Sequence, residues 1–98
     1  MRLEGKIAIV TGASVGIGAA IAERFGKEGA TVALVYKSND DGAAEVAKKV
    51  EAAGGKAKLY KADVSKVANI EKLCADVISD LGRVDILVNN AGVFRTVP

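Results

Sequence analysis

The residues whose spacing carries the most chemistry run from Thr11 to Gly18 and read T-G-A-S-V-G-I-G. A short apolar run, Ile7-Ala8-Ile9-Val10, precedes them, and an apolar-periodic segment follows as far as Phe25. That succession is a strand, a glycine loop and a helix. Gly12 lets the chain turn sharply out of the strand, Gly16 lets backbone N–H groups approach a diphosphate, and Gly18 lets the helix start pack close to the strand. The helix N-terminus then directs unpaired N–H groups and its positive dipole end at an anion. Ser14 is placed to cap the helix or to touch a phosphate. Ile17 is expected to lend its N–H to the diphosphate while its side chain packs inward. The chemistry indicated is the holding of a nucleotide's phosphates.

A second group lies near the end of the next apolar run. A carboxylate about 20 residues into such a motif hydrogen-bonds a ribose and repels a 2′-phosphate. Here that place holds Tyr36, followed by Lys37 and Ser38, and no acid occurs between Tyr36 and Asp40. A cation and a hydroxyl donor suit a 2′-phosphate, which favours NADP(H) and leaves NAD(H) possible. The plain alternative is that Lys37 is an ordinary solvated loop lysine.

Other chemistries lack their residues. There is no histidine and a single cysteine, Cys74, so His-ligated metals, imidazole acid/base chemistry and a disulfide within this chain are excluded. Cys74 falls on an apolar helix face and reads as core. The 14 basic and 12 acidic residues are mixed and give a net charge of +2. No basic stripe suggests nucleic acid, Lys56, Lys58 and Lys61 clustering only loosely around Tyr60. No G-x-x-x-x-G-K-[ST] motif is present. The first residues have no signal-peptide core, and no apolar run approaches membrane-spanning length. By default the expected compartment is the cytoplasm, with no membrane partner.

The elements that must position these residues follow from periodicity and punctuation. Strands are expected over 6–11, 31–36, 56–62 and 84–89, and helices over 15–28, 41–53 and 66–81. In the first helix Ile17, Ile21 and Phe25 stack on one face with Ala20 beside them, and Gly29 stands where a left-handed cap belongs. Val32-Ala33-Leu34-Val35 is continuously apolar, as in a parallel strand covered on both faces. Asn39, Asp40 and Asp41 offer caps for the second helix, and Gly54-Gly55 stop it. The third strand alternates Ala57 and Leu59 with Lys56 and Lys58 and reads as a lysine-guarded edge. Ser65 is the expected cap of the third helix, where Val67, Ile70, Leu73, Cys74, Val77, Ile78 and Leu81 form one apolar face. Asp85 starts the fourth strand away from the ligand rim and reads as structural.

The sum is an α/β chain, β-α-β-α-β-α-β, with right-handed crossovers and an expected strand order of 3-2-1-4. This is part of a doubly wound parallel sheet of the Rossmann kind, with residues 1–98 as the N-terminal part of one dinucleotide-binding domain. Ligands of such sheets bind beyond the C-terminal strand ends, where the order reverses. The glycine loop, Tyr36-Lys37-Ser38, Asp63-Val64 and Asn89-Asn90-Ala91-Gly92 all converge on that rim.

The spacing of Gly12, Gly16 and Gly18, together with Asp63-Val64 and Asn89-Asn90-Ala91-Gly92, resembles the short-chain dehydrogenase/reductase family along the whole chain. Its general look is similar to 3-oxoacyl-carrier-protein reductases and glucose dehydrogenases of that family. The resemblance implies that Asp63 accepts from the adenine amino group and Val64 packs on the ring. The residue-level alternative for Asp63 is helix N-terminal charge. The resemblance also implies that Asn90, with Ala91 and Gly92, lines the ribose side of the cofactor, while Asn89 ties the fourth strand to its neighbours. Val15 is a departure, because relatives that favour the phosphorylated cofactor often carry Arg or Lys there.

The family's reaction is hydride transfer between a nicotinamide and a carbonyl or alcohol, with a Tyr in Y-x-x-x-K as acid/base. Tyr36 and Tyr60 are the two tyrosines here, and the residues four positions on are Asp40 and Val64. The chain is therefore expected to supply the cofactor-binding half of such an enzyme, with no catalytic residue of its own. The other reading is a nucleotide-binding module that works only with a second chain. Homo-oligomerisation is what the resemblance implies for the full-length form.

Overall fold

The computed structural model describes residues 2–14 and 16–90. The elements alternate: β1 (Ile7–Thr11), α1 (Gly16–Lys27), β2 (Thr31–Tyr36), α2 (Asp40–Ala52), β3 (Lys56–Lys61), α3 (Val67–Leu81) and β4 (Ile86–Val88). The four strands form one parallel sheet in the order β3-β2-β1-β4, as the sequence led us to expect. The register pairs Val10 with Leu34 on one side of β1 and with Val88 on the other.

Right-handed crossovers decide which face each helix covers. The steps from β1 to β2 and from β2 to β3 run the same way along the sheet, so α1 and α2 share a face. The step from β3 back to β4 runs the opposite way and puts α3 on the other face. Alternation along the strands then sorts the core into two clusters. Val10, Val32 and Leu34 pack with Ala22, Val46 and Val50 beneath α1 and α2. Ile7, Ile9, Ala33 and Val35 pack with Leu73 and Val77 beneath α3. Each fully buried Val, Leu or Ile contributes about 2 kcal/mol of apolar burial.

Helix α1 departs from the expectation. Its buried residues are Gly18, Ala22 and Gly26, one small residue per turn. Ile17 is 71% exposed, so its side chain does not pack inward. Ile21 and Phe25 are half-buried and pack against the core beneath α1, and together with Ile17, Ala20 and Arg24 they line a shallow apolar groove along the helix. The physical reason is distance. A Cβ on Gly26 would lie 2.8 Å from the Val50 carbonyl oxygen, and one on Gly18 would overlap the Gly12 carbonyl. Only a stripe of small side chains lets α1 sit that close to its neighbours.

Smaller departures occur in α3, β3 and β4. Val67 and Ile78 face outward, so the apolar face of α3 is narrower than its periodicity suggested. Lys66, without a side-chain cap bond, precedes α3 in place of the expected Ser65 cap. Leu59 on the edge strand β3 is exposed, whereas Ala57 packs against the core. Strand β4 is shorter than expected. Asp85 before it accepts the Ile7 N–H at 2.8 Å and meets Arg83 Nε at 2.9 Å, which ties β4 to the start of β1. Those bonds, the Ile7 N–H first, hold its carboxyl below the ordinary value of 3.8.

Candidate functional site

Strands β1 to β4 deliver their following segments to one rim of the sheet. At that rim lies a cleft of about 560 Å³. Gly12 and Ser14 line it from the glycine loop, Tyr36, Lys37, Ser38 and Asn39 from the end of β2, Ala62, Asp63, Val64 and Ser65 from the end of β3, and Asn89 from the end of β4. The convergence inferred from the topology is therefore present in three dimensions.

The glycine loop takes its shape from backbone freedom. Gly12 and Gly16 have φ of 63° and 60°, in the left-handed region where a side chain is strained. A Cβ on Gly16 would meet open space, so the exposed backbone there is accessible to a ligand. Gly18 is needed for close approach, since a Cβ would also lie 2.8 Å from the Asn90 amide nitrogen. The first turn of α1 contains no acid. Ile17 stands in that turn with its side chain turned outward. Val15, Ala91 and Gly92 lie outside the described residues.

Thr11 joins the two halves of the rim. It is buried, its Oγ1 accepts the Asn90 N–H at 2.7 Å, and Asn89 Oδ1 lies 3.2 Å from the same hydroxyl. The ends of β1 and β4 are thus clasped where the strand order reverses. Asn89 and Asn90 stand out in the sequence, whereas nothing there marks the Thr11 hydroxyl that clasps them.

The opposite wall carries the charges. Lys37 Nζ lies 3.9 Å from Asp63 Oδ2, across the gap between the segments after β2 and β3. Asp63 Oδ1 accepts from the Ser65 hydroxyl at 2.6 Å and from the Ser65 N–H at 3.0 Å. Asn69 Nδ2 donates to the Asp63 carbonyl at 2.9 Å. The Ser65 hydroxyl, then its N–H, hold the Asp63 carboxyl below its ordinary value. Beside this wall Lys61 pairs with Asp40 at 3.3 Å, and the neighbouring Asp40 carboxylate pushes the Tyr36 phenol above its ordinary value. Ser38 and Val64 line the cleft between these pairs.

Among the described residues no group of three or more His, Cys, Asp or Glu is placed to hold a metal ion. Nor is any helix among them long and apolar enough to cross a membrane.

Comparison with known proteins agrees with this geometry. Residues 6–98 match the family described as short chain dehydrogenase. An uncharacterized oxidoreductase of Methylorubrum extorquens is 50% identical over 94 residues, which are 96% of this chain and 38% of that protein. Glucose 1-dehydrogenase 2 of Bacillus subtilis is 49% identical over 90 residues, 92% of this chain and 35% of that protein. A metagenomic short-chain oxidoreductase solved in complex with NADP superposes with a TM-score of 0.86 at 43% identity, over 95% of this chain and 41% of that one. The chain spans less than two fifths of the length of the two curated relatives. With its parallel sheet, its glycine loop and a family match over nearly its whole length, this chain belongs to the short-chain dehydrogenases.

Proposed function

We propose that this chain supplies the cofactor-binding half of an NAD(P)(H)-dependent oxidoreductase that moves a hydride between a nicotinamide and a carbonyl or alcohol, with NADP(H) favoured. Residues 1–98 are then the N-terminal part of its dinucleotide-binding domain. The observation that carries the reading is the single cleft walled at once by the glycine loop, Lys37, Asp63 and Asn89. Its residues fit the two ends of a dinucleotide. The acid-free start of α1, with open space over Gly16, suits a diphosphate. Lys37, paired with Asp63 at 3.9 Å, has a side chain 74% exposed and so stands within reach of a 2′-phosphate. The relative solved with NADP supports the same direction.

In this reading Gly12, Ser14, Val15, Gly16, Ile17 and Gly18 hold the diphosphate, and Lys37 and Ser38 take the 2′-phosphate. Asp63 and Val64 receive the adenine, while Asn90, Ala91 and Gly92 border the nicotinamide ribose. The bound nicotinamide would supply the hydride; this chain's residues bind and orient it. Neither Tyr36 nor Tyr60 has the partner lysine four residues on, so the acid/base that moves the substrate proton is not among these residues. A carbonyl or alcohol substrate and self-association belong to the complete enzyme.

Titration of the chain with NADPH and with NADH, followed by nicotinamide fluorescence, tests the reading. The expected result is binding of both, NADPH more tightly, without carbonyl turnover. Equal or tighter binding of NADH would refute the preference, and turnover by the chain alone would refute the division of labour.

A further inference from the structure

Resting on the dinucleotide reading above, we propose that Asp63 is a specificity-determining positioning residue that lowers the preference for a 2′-phosphate by occupying Lys37. The two side chains stand on different walls of one cleft and meet across it at 3.9 Å. Lys37 is on the segment after β2, and Asp63 is on the segment after β3.

The bonds around Asp63 make it a fixed acceptor. Its Oδ1 is taken by Ser65, through both hydroxyl and N–H, and its carbonyl is held by Asn69. Oδ2 is left to face Lys37. Held below the ordinary carboxylate range, the group is ionised throughout the neutral region. Other charged groups nearby are already engaged with each other, since Lys61 pairs with Asp40 at the start of α2. Lys66, beyond Ser65, also lowers Asp63.

The consequence is an exchange. A 2′-phosphate claims Lys37 only by drawing it from Asp63, and the released carboxylate remains beside the new anion. A ribose without that phosphate offers Lys37 nothing to exchange for Asp63 and leaves the pair in place. Asp63 therefore weighs against NADP(H) and not against NAD(H), in addition to any bond that it makes to the adenine, which is common to both. Because both partners are partly solvated, the effect is modest, about two- to fivefold in the ratio of the two affinities.

The experiment is a double-mutant cycle on that ratio. Asp63→Asn keeps the shape and the acceptor that Ser65 needs. Dissociation constants for NADPH and NADH are measured on the unmodified chain, Asp63→Asn, Lys37→Ala and the double variant, with circular dichroism as the check on folding. The expected result is a ratio shifted toward NADPH by about two- to fivefold in Asp63→Asn, and no such shift when Lys37 is already Ala. Ser65→Ala, which frees Asp63 to turn, should shift the ratio the same way by less. An unchanged ratio in Asp63→Asn overturns the proposal, and so does an equal shift in the Lys37→Ala background. If the unmodified chain binds neither dinucleotide, the cofactor reading falls and this proposal falls with it; binding with an unmoved ratio sinks the proposal alone.

Discussion

Helices α1 and α2 both begin at the C-terminal rim of the sheet, and they begin in opposite ways. Asn39 caps α2, its side chain accepting the Gly42 N–H at 3.0 Å, and Asp40 and Asp41 occupy the first turn. The positive end of that helix is answered by the chain's own oxygens, and Asp40 is held in turn by Tyr36 and Lys61. The first turn of α1 is Gly16-Ile17-Gly18-Ala19, with no acid and no side-chain oxygen. Val15, before it in sequence, has no polar side-chain atom either. Two helix ends of the same polarity, on the same face of the sheet, are thus distinguished by who supplies the negative charge. One is complete in itself, and the other suits an anion from outside.

Four changes test this contrast, the first with the largest expected effect. Gly18→Val places side-chain atoms where the Gly12 carbonyl and the Asn90 amide stand. It should cost about 2–3 kcal/mol in chemical denaturation and abolish dinucleotide binding. A variant that kept both would show that α1 need not lie so close to the loop. Ile17→Asp gives α1 the charge that α2 already has, at an exposed position. Thermal stability should hold or rise slightly while affinity for either dinucleotide falls roughly tenfold or more. Undiminished affinity would move the diphosphate away from this helix. Asn39→Ala removes the cap of α2 and should cost about 1 kcal/mol, read by the same denaturation, without a matching loss of NADH affinity. A loss of NADH affinity as large as that from Ile17→Asp would erase the distinction between the two ends.

The smallest effect is on acid titration. The Tyr36 phenol, then Lys61, hold the Asp40 carboxyl below its ordinary 3.8. A folded value below the unfolded one means stabilisation above pH 3.8 that disappears as the pH falls through the folded value. Amide exchange in the first turn of α2 should therefore quicken in acid below that point. The first turn of α1, with no acid to protonate, should show no such local step, and a step of equal size there would count against the contrast.

Much of this was legible in the sequence, for identifiable reasons. The run Val32-Ala33-Leu34-Val35 read as a strand buried on both faces, and β2 lies at the expected bounds because parallel strands have no solvent side to alternate with. The strand order followed from handed crossovers, and the meeting of the loops at one rim followed from the order. Hydrophobic spacing places Ile21 and Phe25 against the core but misplaces Ile17, because it reports which residues share a face and not how far along the helix that face stays covered. In α1 the inside is set by size, through Gly18, Ala22 and Gly26. Ser65 looked like a cap from its place before a helix, yet its hydroxyl serves Asp63 two residues back. Lys37 and Asp63 each stand out in the sequence, but separately. Their pairing depends on the gap between two loops 26 positions apart, which residue types alone do not encode.

The Thr11 clasp has a consequence for the order of events in folding. Its partner Asn90 is 79 positions away along the chain, whereas β1, α1 and β2 meet through short connections. Closing the longer loop costs more entropy, so the β4 side of the cleft is set late. A dinucleotide that needs both sides recognises only molecules in which β4 has docked. In stopped-flow experiments it should therefore lengthen the lifetime of the folded chain and leave the rate of reaching it nearly unchanged.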